Sequence, residues 1–401
     1  MHTPRLGHDV VVVGGGMVGA AVAADFAGRG WRVGLVETSG PQPVDAGAPY
    51  RLRVSALNLG SERYLDGLGA WHQIRSTRAC PYRRLQVWDD DHPQRLTFSA
   101  DELGADTDHL GHIVENDLIQ QALWSVLEHS GMVYRYCPNE TTRLEPAPFG
   151  ATLRLDDGRR IHGNLVVAAD GAQSRLRRSA GIPVSVHDYR QHAVVAEVIT
   201  HQGPRDITWQ RFLPEGPQAF LPLVGSRASL VWYTTPERAR QLTEQPAEQL
   251  AQSIAAAFPA ELGDIDAVTQ RASFPIRAQH AHAYQAPGLV LVGDAAHTIH
   301  PLAGQGVNLG LRDAQALVHH VAAAVERGLA PDDPRTLSAY ARERRLDNQL
   351  LQSGMTALHE LFGPSCGGLA RLRRWGLRLA DHAGPAKRLA LRYASHGRWT
   401  G

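Results

Sequence analysis

The chain has 401 residues, 43% hydrophobic and 20% charged, enough to bury one large core or two closely packed domains. Its 41 Lys and Arg against 40 Asp and Glu leave no long-range field to gather a polyanion, so no nucleic-acid partner is expected. Cys80, Cys137 and Cys366 are far apart and form no C-x-x-C pair, which argues against a disulfide framework or a thiolate zinc site, and with neither a secretory leader nor a spanning apolar run the expected location is the cytoplasm.

Asp9-Val-Val-Val-Val13 reads as a short buried strand, Gly19 to Phe26 as a helix of small residues, and Trp31-Arg-Val-Gly-Leu-Val-Glu37 as a second strand, together a βαβ unit. At its first turn lies Gly14-x-Gly16-x-x-Gly19. The missing side chains permit a tight turn, approach of backbone to a diphosphate at the helix N-terminus, and close helix packing. Glu37 stands 18 residues after Gly19, where a carboxylate accepts hydrogen bonds from both adenosine ribose hydroxyls and repels a 2′-phosphate. Such glycines also occur in plain turns, but the flanking elements and the placed acid predict a dinucleotide.

Gly40 to Pro49 is a surface loop rich in Gly, Pro and Ala. Leu165-Val-Val-Ala-Ala-Asp170-Gly171 runs from a buried strand into an Asp-Gly turn and a basic helix start; alone it is most often just a turn with an Asx bond. From Tyr189 to Phe274 the pattern changes to short β-prone runs, Ala193–Ile199, Ile207–Phe212 and Ala228–Tyr233, spaced by Gly and Pro. Gly288-Leu-Val-Leu-Val-Gly293-Asp294 restores a buried strand, followed by a glycine-rich loop and, from Val307 onward, helices. Asp294 can bond a ribityl hydroxyl, and the loop backbone with the next helix N-terminus can stabilise charge on a flat electron-accepting ring. His297 and His300 have no carboxylate or cysteine nearby to complete a ligand set, so no metal is expected. The predicted fold is α/β: a Rossmann-like dinucleotide-binding domain over residues 1–75, 110–182 and 276–401 with a helical C-terminus, and an inserted, mainly antiparallel β-sheet domain over residues 76–109 and 183–275.

These motifs, in this order, resemble the class A flavoprotein monooxygenases, the family of para-hydroxybenzoate hydroxylase, over essentially the whole chain. Within it, Arg53-Val-Ser-Ala-Leu57, Leu110-Gly-His-Ile-Val-Glu-Asn116 and the run from Asp294 to Asn308 resemble the ubiquinone-biosynthesis hydroxylases. Pro81–Leu85, Thr208–Phe212, Gly216–Leu223, Ser229–Tyr233 and Gln352–Met355 resemble the branch that oxidises the ring position next to a methoxy group, with paralogues acting at other ring carbons as the alternative. Arg51 departs from the pattern: these enzymes carry an acid two residues before the arginine that Arg53 matches, so a local ion pair is missing or reversed.

The resemblance implies FAD, bound by Gly14, Gly16, Met17, Val18, Gly19, Glu37, Arg53, Gln120, Asp170, Asp294, Gly304, Gly306, Val307 and Asn308. Gly306, Val307 and Asn308 are implied at the flavin ring. It implies that O2 reacts through a flavin C4a-hydroperoxide with an electron-rich quinol carrying an isoprenoid tail, in a dry pocket. Phe220, Leu221, Pro222, Trp232 and Tyr233, with Pro301 and Leu302, are the pocket candidates, although residues of this kind in a sheet are more often ordinary core. His300 either assists proton transfer or holds the loop. No second nucleotide fold is evident, so NADPH, NADH or another electron donor docks transiently near Asp170. Leu369 to Gly401 carries eight Lys or Arg against Asp381, and Leu372, Trp375, Gly376 and Leu379 recur at helical spacing. That segment is either a peripheral membrane contact or, the favoured reading, a terminal helix packed on its own domain. Other proteins of the pathway are candidate partners. A flavin dehydrogenase or a non-catalytic FAD-binding subunit fits the nucleotide motifs as well.

Overall fold

Val10, Val11 and Val12 have no exposed surface because Leu6–Val13 lies between two parallel neighbours, Val33–Val36 and Arg160–Ala168. A strand covered on both faces accommodates such a continuous apolar run. The computed structural model describes residues 6–89, 95–104, 107–201, 205–299, 306–362 and 384–396. Parallel strands follow the order Leu289–Leu291, Arg160–Ala168, Leu6–Val13, Val33–Val36, Val133–Tyr136. Ala151–Leu155 extends this sheet antiparallel to Arg160–Ala168, and Thr141–Pro146 pairs antiparallel with Ala151–Leu155 in turn. The Met17–Gly28 helix packs on Gly306–Glu326, so the first and last thirds of the chain share one core.

The second sheet runs His297–Thr298, Ile265–Ala281, Val184–Thr200, Arg227–Thr234, Gln218–Pro222, Ile207–Phe212, Arg84–Asp89, Arg95–Ser99. Its outer face, with Val194, Trp209, Phe220, Leu230 and Trp232, packs under Ala239, Leu242, Leu250 and Ile254. These four belong to the helices Pro236–Glu244 and Ala247–Ala257, which the sequence reading passed over between its β-prone runs. The inner face turns Leu221 and Leu223 onto Ala56, Tyr82 and Ile113 of a smaller sheet formed by Val54–Asn58, Gly111–Glu115 and Cys80–Tyr82.

Helices dominate after Gly306, as the periodicity predicts, with Pro334–Phe362 and Gly384–His396 following Gly306–Glu326. In the last of these Leu391 and Tyr393 are buried, Asn58 Nδ2 donates to the Ala394 carbonyl at 2.8 Å, and Lys387 lies 3.1 Å from Glu102, so the helix is held by both segments of the chain. Leu372, Trp375, Gly376 and Leu379 lie outside the described residues. Among the described residues no helix is long and apolar enough to cross a membrane.

Candidate cofactor and substrate site

The three glycines of the first turn are glycines for different reasons. Gly14 has φ +102°, and a Cβ there would stand 2.2 Å from the Ala169 carbonyl oxygen; a Cβ on Gly19 would meet the Gly14 carbonyl oxygen at 1.8 Å. Gly16 has an ordinary φ of −66°, and a Cβ there would meet nothing within 4 Å. The fold itself therefore does not demand glycine at 16. The open space at the helix N-terminus suits a diphosphate, whose approach a side chain would obstruct.

Gly15 holds the turn in place. Its N–H donates to Glu37 Oε2 at 2.5 Å, and its carbonyl accepts from Gln120 Nε2 at 2.9 Å and Trp124 Nε1 at 2.7 Å. Glu37 and Gln120, expected at the cofactor, thus flank the glycine turn, and the buried Trp124, which sequence reasoning missed, shapes it with them. Met17 opens the helix, while Val18 lies against Gly293 and Gly310 and so joins this turn to the later motif.

Asp170 caps the turn after its strand: Oδ2 accepts from the amides of Arg175 and Leu176 at 2.8 and 3.2 Å. Oδ1 is buried with no hydrogen-bond partner among the described residues. A buried acceptor left unmatched is costly, and a ligand donor would satisfy it. Arg177, nearly fully buried, ties this turn to the next motif by donating to the carbonyls of Ala172 at 2.9 Å and Ala295 at 2.8 Å. Gln279, from the second sheet, donates to Ala172 at 2.7 Å and to the Asp294 carbonyl at 3.2 Å.

Asp294 sits in the tight turn Gly293–Ala295, surrounded by protein yet open on its cleft side. Burial pushes its carboxyl up, against the opposing pull of His297 and Arg53. Its carboxylate makes no hydrogen bond to a described residue, which leaves it available to a polyol. Arg53 lies across the cleft, its guanidinium carbon 6.0 Å from the centre of the Phe274 ring. Arg51 lies 3.6 Å from Asp117, so the departure noted at that position is accommodated by an exposed ion pair.

Asn308 is wholly buried, and its side chain is used within the protein. Nδ2 donates to the Ala56 carbonyl at 2.8 Å, and Oδ1 accepts from Asn58 N at 3.1 Å and Ser61 Oγ at 2.7 Å. Only its backbone, with Gly306 and Val307 at the helix start, remains for a flavin ring. His297 pairs with Asp313 rather than facing the cleft. His300, Pro301, Leu302 and Gly304 lie outside the described residues.

The pocket candidates divide between the two faces of the sheet. Phe220 and Trp232 belong to the outer core, where Trp209 stacks on Phe220, and Pro222 follows Phe220 on that side of the pleat. Leu221 and Tyr233 face inward. Tyr233 lies opposite Ala193, and Ala193 opposite Phe274, so these three form a row across neighbouring strands. The row ends at Phe274, 37% exposed beside Arg53.

The sequence matches the FAD binding domain family over residues 7–352. The chain belongs to this family of FAD-dependent monooxygenases. It is 42% identical to the 3-demethoxyubiquinol 3-hydroxylase of Escherichia coli (strain K12), over 96% of this chain and 98% of that protein. It is 36% identical to ubiquinone hydroxylase UbiL of Rhodospirillum rubrum, over 96% and 89%, and 33% identical to the human mitochondrial ubiquinone biosynthesis monooxygenase COQ6, over 97% and 92%. The fold is shared with p-nitrophenol 4-monooxygenase PnpA of Pseudomonas putida, with a TM-score of 0.81 at 19% identity, over 98% of this chain and 100% of that one. It is also shared with PqsL of Pseudomonas aeruginosa, a probable FAD-dependent monooxygenase, with a TM-score of 0.76 at 24% identity, over 92% and 99%. FAD is accordingly the cofactor whose features the cleft matches.

Proposed function

We propose that the protein hydroxylates the ring of a demethoxyubiquinol, a polyprenyl benzoquinol, in ubiquinone biosynthesis. The observation that carries this reading is Phe274, a partly exposed ring beside the Arg53 guanidinium at the open end of the buried row Tyr233–Ala193. A flat ring held there would be shielded from water on the sheet side and would face the cofactor on the other. The likeness to the Escherichia coli hydroxylase along nearly the whole chain supports the choice of substrate.

When bound, FAD supplies the activation of O2. This chain's residues bind and orient. The amides at Gly16 and the helix start meet the diphosphate, Glu37 the ribose, Asp170 Oδ1 a donor on the cofactor, and Asp294 the ribityl chain. The helix start at Gly306 and Val307 directs backbone N–H groups at the ring. The sheets divide the labour, with residues 1–75, 110–182 and 276–401 carrying the cofactor and 76–109 and 183–275 the substrate. A reduced nicotinamide docking transiently near Asp170 is the electron donor in this reading, and the isoprenoid tail brings the enzyme to the membrane surface peripherally.

The test is the quinone profile of cells lacking the protein, complemented by the native chain or by Asp294→Ala. A demethoxyquinone that accumulates and is cleared only by the native chain supports the reading. An unchanged profile overturns it.

A further inference from the structure

Away from the cofactor cleft, side chains with metal-binding atoms converge at a place that no local spacing in the sequence marks. Glu62, in the Leu59–Gly67 helix, is 6% exposed. Its Oε1 lies 2.7 Å from His112 Nδ1 and its Oε2 lies 2.9 Å from His109 Nε2. One ligand atom from each residue falls within 4.8 Å of the others. His112 belongs to the Gly111–Glu115 strand and His109 comes just before it, so the cluster clasps a helix to a strand of the smaller sheet.

We propose that Glu62, His109 and His112 form a binding site for a divalent transition-metal ion of the zinc class, with Asp108 orienting His109 from outside. Two imidazoles and one carboxylate suit borderline ions such as zinc or cobalt, whereas calcium and magnesium prefer oxygen ligands alone. Metal bonds of about 2.0–2.1 Å place tetrahedral ligand atoms roughly 3.3 Å apart, so an ion would widen the 2.7 and 2.9 Å contacts by about half an ångström while drawing in atoms that lie within 4.8 Å of one another. The remaining ring nitrogen of His109, Nδ1, is engaged by the Asp108 carboxylate. That is the outer carboxylate–histidine pairing that aims an imidazole at a metal. The Trp71 ring packs edge-on against His112 at 5.1 Å, closing one side, while the His109 side chain is 22% exposed and leaves a water-accessible fourth position. The ion's role is to fasten the Leu59–Gly67 helix, whose Ser61 Asn308 also holds, to the smaller sheet.

The test uses the full-length, FAD-loaded protein treated with a chelator and then titrated with cobalt(II) or zinc. One equivalent of cobalt should bind with the visible absorption of a four-coordinate site, zinc should displace it, and zinc should raise Tm. His109→Ala and Glu62→Gln should each weaken cobalt binding at least tenfold. His320→Ala, which removes a histidine of the exposed His320–Glu343 pair, should leave it unchanged. A readout that needs no variant is protection: in the native chain zinc should shield His109 from carbethoxylation. Absence of stoichiometric binding, equal affinity in folded variants, or failure of zinc to protect His109 would each overturn the proposal.

Discussion

The fully buried carboxylate of Asp313 lies 2.5 Å from His297 Nε2 and, through the same oxygen, accepts from the Gly293 amide at 3.0 Å. Its other oxygen accepts from Arg344 Nε at 2.8 Å. One residue of the Gly306–Glu326 helix thus grips the turn that carries Asp294 on both sides and anchors it to the Pro334–Phe362 helix.

Burial pushes the Asp313 carboxyl up, but His297 and Arg344 outweigh it and hold the group at about 2, below its ordinary 3.8. A depressed acid stabilises the fold above its unfolded pKa and loses that contribution as pH falls toward the folded value. Asp313→Asn should therefore cost about 3 kcal/mol at neutral pH by removing the buried charge that faces His297 and Arg344, which keeps, among the described residues, only Asp347 at 2.7 Å as an ionic partner. In urea unfolding at successive pH values, the deficit should hold down to about pH 4 and narrow below it. A deficit unchanged by acid would show that the charge of Asp313 contributes nothing.

Gly16 and Gly19 should behave oppositely when changed to alanine. Gly16→Ala should leave the stability of the apoprotein within about 0.5 kcal/mol while lowering FAD retention. Gly19→Ala forces the Gly14 carbonyl to move and should cost stability with or without cofactor. Thermal melts of apo and FAD-loaded protein distinguish the two, and equal loss in the apo forms would refute the assignment of Gly16 to a ligand.

Arg177→Met removes the donor to two carbonyls on different motifs. The expected loss is about 2 kcal/mol, with weaker FAD binding, since the Asp170 and Asp294 turns lose their shared tie. Gln279→Leu should have a smaller effect of the same kind. Equilibrium dialysis of FAD against each variant measures it.

The two faces of the second sheet give a kinetic prediction. Phe274→Ala should raise KM for the quinol with FAD binding intact, because the ring lines the cleft. Trp232→Leu should lower Tm by creating a cavity in the outer core while leaving KM near the native value. A KM effect from Trp232 and none from Phe274 would invert the assignment of faces.

The glycine turn, Glu37, the Asp170 turn and Asp294 were legible in the sequence because each lies beside its strand, where local spacing reports the geometry. Trp124, Arg177, Gln279 and Asp313 were not. Trp124 reaches Gly15 across 109 residues and Arg177 reaches Ala295 across 118, and no local pattern encodes such pairings. Phe220 and Leu221 illustrate a different limit. Strand alternation alone separates their faces, so a pocket built from consecutive residues was bound to mix them, yet nothing in the local pattern says which face meets the cleft. Asn308 was expected at the flavin ring, whereas its buried partners on Val54–Asn58 could be known only from the fold.

Asn308 bonds the Asn58 amide across 250 residues, and Leu289–Leu291 is the strand flanking Arg160–Ala168 in the nucleotide-binding sheet. On the ribosome, the opening βαβ unit therefore emerges long before the segments that seal it. Its apolar edge must wait, or be sheltered by a chaperone, until the helix Gly306–Glu326 has been made. A chain cut short before that helix should yield an aggregating fragment instead of a smaller FAD-binding protein.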